Sequence, residues 1–166
     1  MASLLCFPNF HKQAENGCNV PEKLLEYVGF EHIDNEEDYI MSESNITFRD
    51  LGLSDAMLKA LEQKGYGWPT TIQAEAIPHF MQWRDVIAKA PTGTGKTFAF
   101  GIPMIEHIDP ESEAVQGLIL APTRELAIQI GDELRSLLTY YQNIRVAVLY
   151  GGAGIGGQIK QLERKP

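Results

Sequence analysis

The chain has 166 residues, 44% of them hydrophobic, which is enough for one domain with a buried core and some chain to spare. Its formal net charge of −8 argues against a protein that grips nucleic acid through a broad basic face; any such contact must come from a few local groups or from basic surface on further chain. Cys6 and Cys18 stand apart with no CxxC and no neighbouring histidine pair, so no metal site is expected of them, and no window nears about eighteen uninterrupted apolar residues, so no membrane helix is expected.

Residues 1–45 read as an extension or linker. "MASLLCFPNFHKQ" lacks the basic start and long apolar run of a signal peptide, which points to a soluble, cytoplasmic protein. "VPEKLLEYVGF" suits a short helix with Pro21 in its first turn. The acidic run Asp34–Asp38 suits a solvated linker or, alternatively, an extension that binds a partner.

From Phe48 the pattern becomes regular, and residues 46–166 read as one α/β unit. "LSDAMLKALEQKG" predicts a helix with Ser54 as N-cap and Gly65 as its stop. "PTTIQAEAIPHFM" predicts a second helix that Pro78 ends or bends. "DVIAKA" predicts a short strand leading into a glycine-rich loop, and "TFAFGIPMIEHI" a helix with an internal Pro103. "GLILAP" reads as a buried strand. "TRELAIQIGDELRSLLTYY" reads as a long amphipathic helix with Leu126, Ile130, Leu134, Leu137 and Leu138 on one face. "IRVAVLYGG" predicts a third strand and "GQIKQLERK" the start of another helix.

Strands alternating with helices imply βαβ units and a parallel sheet. Right-handed crossovers then gather the loops at 90–97, 121–124 and 150–154 along one sheet edge, where ligands bind. With three strands evident the sheet is incomplete toward the C-terminus. The edge near "DVIAKA" is expected to lie open and to invite self-association.

"APTGTGKT", Ala90 to Thr97, keeps the latter half of the phosphate-loop pattern GxxxxGK[ST], with alanine in place of the first glycine. A triphosphate needs several backbone N–H donors converging on a small volume. Gly93 and Gly95 allow the tight curl among Ala90, Pro91, Thr92 and Thr94. The following helix start favours phosphate. Lys96 is expected to reach the β and γ phosphates, and Thr97 to offer its hydroxyl to Mg²⁺. Upstream, Gln73 in "GYGWPTTIQ" can present a donor and an acceptor to the adenine edge. It also has capping-box spacing from Thr70, and the two roles are compatible.

"GYGWPTTIQ" with Phe48 upstream, "APTGTGKT", "APTRELA" and the pair Gly151–Gly152 occur in this order. Together they resemble the N-terminal core of DEAD-box ATP-dependent RNA helicases. A RecQ-type DNA helicase also carries an adenine-reading glutamine, but "PTRELA" fits it poorly. The resemblance implies a RecA-like fold, ATP or ADP with Mg²⁺ as ligands, and RNA as partner. It implies that Tyr66 stacks on adenine, that Gln73 reads its edge, and that Phe48 supports this segment. Core packing is an equal alternative for Phe48, and for Trp68, which stands where charged or polar residues are common. Pro122, Thr123, Arg124, Gly151 and Gly152 are implied to meet the RNA sugar-phosphate backbone, where a helix start, a guanidinium and bare backbone suit phosphate. The alternative for Arg124 is an ion pair with Glu125 or Asp132.

The Asp-Glu-Ala-Asp motif, the Ser-Ala-Thr motif and the second RecA-like domain with its arginine finger are not in these residues. Those groups would anchor Mg²⁺, position the attacking water and stabilise developing charge. The 166 residues alone are therefore expected to bind adenine nucleotide weakly and not to unwind RNA. The alternative is a non-catalytic nucleotide-binding or interaction module working through residues 1–45. A P-loop ATPase outside the helicases is a third reading, disfavoured by the Gln73 segment and "PTRELA".

Overall fold

The computed structural model describes residues 46–166, together with the backbone of a short strand at 4–6. The expectations for Pro21, Cys18 and the acidic run lie outside the described residues.

Strand β1 (Leu4–Cys6) is followed by helices α1 (Asp55–Gln63) and α2 (Thr71–Met81), strand β2 (Val86–Ala88) and helices α3 (Lys96–Glu106), α4 (Arg124–Leu137) and α5 (Ile155–Leu162). A 3-10 turn at Leu138–Tyr140 closes α4. The helix ends follow local capping chemistry. Ser54 Oγ accepts from Met57 N at 3.2 Å, and Thr123 Oγ1 accepts from Leu126 N at 3.3 Å. Gly65, at φ 79°, takes the left-handed position just past α1.

Two expectations about the helices are narrowed. Of the two outcomes open for Pro78, ending the helix is not the one found: α2 runs on to Met81. A proline removes one N–H from the ladder, and the packing of Ile77 and Phe80 into the core holds the helix across that gap. The long helix from Arg124 is shorter than its apolar stripe suggested. Ile130, Leu134 and Leu137 are buried, whereas Leu126 and Leu138 are half-buried.

The sheet differs more. Among the described residues the only ladder is β1 with β2, antiparallel, with Leu4 opposite Ala88 and Cys6 opposite Val86. One edge of β2 is thus paired rather than open. "GLILA" alternates between half-buried and exposed, "IRVAVLY" keeps Val146, Ala147 and Val148 half-buried in succession, and neither forms a ladder. Side chains satisfy the second of them instead. Arg135 donates to Val146 O at 3.1 Å, and Gln161 Oε1 accepts from Val148 N at 3.3 Å. Gln158 both accepts from Tyr150 N at 2.9 Å and donates to Tyr150 O at 3.0 Å. Alternation in sequence reports which face is covered; pairing also needs a neighbouring backbone at ladder spacing.

The core lies between α1, α2, α3 and α4. Met57, Leu61, Ile77, Ile102 and Leu137 are fully buried, and truncating any one to alanine would cost roughly 2–5 kcal/mol. Helices α3 and α4 approach closely at Gly101, where an added Cβ would sit 2.4 Å from Leu134 Cδ2. At the base of α3, Glu106 accepts from Ser54 N at 3.1 Å and Ser54 Oγ at 2.8 Å, and from the Tyr141 hydroxyl, locking α1 to the end of α4.

Trp83, between α2 and β2, has φ 60°, a left-handed conformation costly for a bulky side chain. Its indole stacks on the His107 ring with centroids 3.9 Å apart, and His107 Nε2 lies 3.0 Å from Phe80 O. Trp83→Ala keeps the strained backbone and loses the stack, whereas Trp83→Gly loses the stack but relieves the strain. The glycine variant is therefore expected to be more stable than the alanine variant by about 1 kcal/mol, which urea melts of the two would check. Equal midpoints, or a more stable alanine variant, would remove the strain argument.

Candidate nucleotide site

The loop between β2 and α3 curls as its glycines allow. Gly93 and Gly95 have φ 85° and 86°, and α3 begins at Lys96 with Gly95 as N-cap. Thr94 is 4% exposed and its hydroxyl donates to Pro91 O at 3.0 Å, closing the curl from inside. Pro91, Thr92 and Gly93 form the exposed crest, and Ala90 and Thr97 are half-buried.

Lys96 folds back into this curl. Its Nζ donates to Ala90 O at 2.6 Å and to Pro91 O at 2.5 Å. Partial burial holds its pKa below the usual 10.5. The ammonium therefore occupies the concavity that backbone donors would otherwise offer to phosphate. An anion entering the loop would exchange two neutral carbonyl acceptors for charged oxygens, which bind an ammonium more strongly. The donor set fits a nucleotide phosphate chain: free N–H groups at a helix start, a lysine at its mouth and the Thr97 hydroxyl beside it, where a nucleotide-bound Mg²⁺ would be met.

The segment at 66–73 is physically tied to the loop. Gln73, 4% exposed, accepts from Thr70 N at 3.0 Å and donates through Nε2 to Gly95 O at 3.1 Å. The Thr70 hydroxyl donates to Thr94 O at 2.9 Å. Gln73 retains one amide hydrogen and one lone pair, so it can hold the loop and meet a purine edge together. Tyr66 is 47% exposed and packs edge-on against Phe98, the first aromatic of α3, with ring centroids 5.2 Å apart. Capping spacing pointed to Thr70 as a helix cap; its bond to the phosphate loop and the role of Phe98 had no signal in sequence order.

Phe48 and Trp68 part company. Phe48 is 4% exposed within the core, the packing alternative, while Trp68 is 61% exposed.

The two other loops meet each other. Arg124 Nη1 lies 3.7 Å from the place a Cβ on Gly152 would occupy, and Gly152 has φ 86°. Arg124 is ion-paired with Glu125 at 2.5 Å, both side chains well exposed; Asp132 pairs instead with Arg135 at 2.8 Å. An exposed pair of this kind contributes little and yields readily to a phosphate. Pro122, Thr123 and Gly151 are exposed at the same corner, with the Thr123 hydroxyl occupied as the α4 cap.

Comparison with known proteins adds to this geometry. The sequence profile of the family described as DEAD/DEAH box helicase matches residues 70–166. The DEAD-box ATP-dependent RNA helicase CshA of Bacillus cereus (strain ATCC 10987 / NRS 248) is 49% identical over 120 residues, covering 72% of this chain and 23% of the relative. The ATP-dependent RNA helicase DeaD of Escherichia coli (strain K12) is 44% identical over 126 residues, 76% of this chain and 20% of the relative. The chain spans about a quarter of the length of the curated relatives it matches, 23% for CshA. Among solved structures, a DEAD box protein from the hyperthermophile Methanococcus jannaschii superposes with a TM-score of 0.63 at 42% identity, over 70% of this chain and 32% of that one. The RNA-helicase Prp28 from Chaetomium thermophilum, bound to ADP, superposes with a TM-score of 0.64 at 36% identity, over 71% of this chain and 30% of the other. Both likenesses are consistent with an α/β fold of the RecA type.

Proposed function

The chain belongs to the DEAD/DEAH box helicase family, and from that premise we propose that it carries the ATP-binding part of an RNA helicase whose full form couples ATP hydrolysis to RNA unwinding. Adenine nucleotide sits with its phosphates in the loop Ala90–Thr97. Lys96 turns outward onto the β and γ oxygens, and Thr97 meets Mg²⁺. Tyr66 stacks on the base and Gln73 reads its edge. RNA backbone meets the corner formed by Pro122, Thr123, Arg124, Gly151 and Gly152, and a second RecA-like domain completes the active site in a cytoplasmic enzyme. The 166 residues alone bind nucleotide weakly and do not unwind.

One observation carries this reading: the Thr70 and Gln73 side chains are bonded to the carbonyls of Thr94 and Gly95. A base-reading segment tied to a phosphate loop makes occupation of the first felt by the second. Gln73→Ala is expected to weaken ADP more than GDP, so that their affinity ratio falls by about fivefold or more, the low end of a bidentate purine contact. Titration calorimetry of both nucleotides on both proteins measures this. An unchanged ratio in the variant would reject the base-reading role of Gln73.

No helix among the described residues is long and apolar enough to cross a membrane. The segments "GLILA" and "IRVAVLY" leave Leu118, Leu120 and Leu149 exposed, Leu120 by 80%, and lack ladder partners among the described residues. These exposed leucines support a proposal that the chain self-associates. Sedimentation is expected to show a mass that rises with concentration; a monomer at every concentration, melting sharply, would count against it.

A further inference from the structure

At the end of α3 remote from the phosphate loop, about 15 Å away by helix rise, lies a cavity of about 410 Å³ that the nucleotide reading does not use. Ile105, Ile108 and Ile144 contribute apolar walls, Tyr140 and Tyr141 aromatic ones, and Glu106 and Glu111 carboxylates. Among the described residues no lysine, arginine or histidine lines it. His107, next in sequence, turns its ring away onto Trp83 and the Phe80 carbonyl.

The electrostatics are one-sided. Glu106 closes α3, where the helix already presents its negative end. A carboxylate there is unfavourable unless something offsets it. Ser54 N, Ser54 Oγ and the Tyr141 hydroxyl hold it as hydrogen-bond donors, but none brings a positive charge. Burial and the neighbouring carboxylate keep the Tyr141 phenol protonated by raising its pKa, so it stays a donor to Glu106. Oε2 accepts only the Ser54 amide among the described residues, which leaves it a lone pair for a ligand. Glu111 adds a second carboxylate at the exposed rim. No group of three His, Cys, Asp or Glu side chains among the described residues could hold a metal ion. The lining instead suits a cation on an aliphatic stem, whose methylenes lie along isoleucine while its head meets carboxylate and tyrosine faces.

We infer that this cavity is a docking site for an arginine side chain of a peptide partner. The guanidinium pairs with Glu106 and Glu111, and its stem packs on Ile105, Ile108 and Ile144. Arginine fits better than a compact ammonium because its planar fork can serve two acceptors together and its face can lie on Tyr140. The site is independent of nucleotide, since its walls share only the far end of α3 with the phosphate loop.

The test is an NMR titration of the 166-residue chain with Ala-Arg-Ala, its neutral isostere Ala-citrulline-Ala, and spermidine. Saturable shifts at Ile105, Ile108, Asn143 and Ile144 are expected with the arginine peptide, at least about fivefold weaker binding with citrulline, and a similar loss in Glu111→Gln. Glu111 is exposed and outside the Ser54–Tyr141 lock, so that variant keeps the fold. Glu106→Gln, with folding checked by its dispersed spectrum, should remove the response. Absence of saturable shifts, citrulline binding as well as arginine, or an unaffected Glu111→Gln variant would overturn the proposal. Spermidine matching the peptide in affinity and shift pattern would overturn the peptide assignment in favour of a free polyamine.

Discussion

Replacing Lys96 with alanine is expected to lower the affinity for ADP by about 10- to 100-fold, the worth of one hydrogen bond between charged partners. Two opposing terms set that size. In the free chain the ammonium rests on Ala90 O and Pro91 O, contacts that must be surrendered before phosphate is reached. Against this stands a charge-assisted contact in a partly buried loop, where burial already depresses the lysine pKa. A bound diphosphate reverses that depression, because an adjacent anion favours the charged amine. The second term wins because a carbonyl is a weaker acceptor for an ammonium than a phosphate oxygen is. Calorimetry measures the loss. Phosphate release from ATP in the presence of RNA is expected to be equally low for the 166-residue chain and for Lys96→Ala. Turnover above the variant would contradict the proposal that these residues alone do not drive the reaction.

Gly95→Ala is expected to be the most damaging single methyl group in the site. A Cβ at Gly95 would sit 2.4 Å from Gln73 Nε2, 3.2 Å from Gln73 Cδ and 3.3 Å from Thr70 Oγ1, at φ +86°. The variant must therefore move the bonded amide, strain the loop, or do both. Losing the Gln73–Gly95 bond leaves a buried amide short of a partner, costing about 1–3 kcal/mol, and a left-handed alanine adds about 1 kcal/mol. A stability loss of about 2–4 kcal/mol follows, with loss of ADP binding. Gly93→Ala is the internal control. Its φ of +85° is nearly the same, but among the described residues nothing lies within 4 Å of its added Cβ, so only the backbone strain applies. Urea melts of the two variants should differ by at least about 1 kcal/mol. Equal losses would mean that the tie between Gln73 and the loop contributes nothing.

The features legible in the sequence are those decided by neighbouring residues. Ser54 and Thr123 cap because a hydroxyl at that position reaches an amide three residues on. The phosphate loop is legible because Gly93 and Gly95 must take positive φ and a lysine follows at the helix start. The features that escaped depend on segments distant along the chain. Whether "GLILA" and "IRVAVLY" pair depends on which backbone lies beside them, and Gln158 and Gln161 of α5 take that place for the second. The bond from Thr70 to Thr94 spans 24 positions, and a threonine at a helix start already has a sufficient local reason to be there. Phe48 had two roles open in sequence, and burial places it in the core. Trp83 gives no sequence signal at all, since its type argues against the left-handed backbone it adopts. Nor does the pattern GKT say that the lysine of the free loop lies against its own carbonyls.

Under the proposed function the loop Ala90–Thr97 and the tied segment Tyr66–Gln73 form one adenine-nucleotide site. Titration calorimetry of ADP and GDP with this 166-residue chain, alongside Lys96→Ala, tests it most directly. Measurable though weak ADP binding is expected, with GDP weaker by about fivefold or more and ADP weakened about 10- to 100-fold in the lysine variant. Equal affinity for ADP and GDP, or an ADP affinity left unchanged in Lys96→Ala, would contradict it.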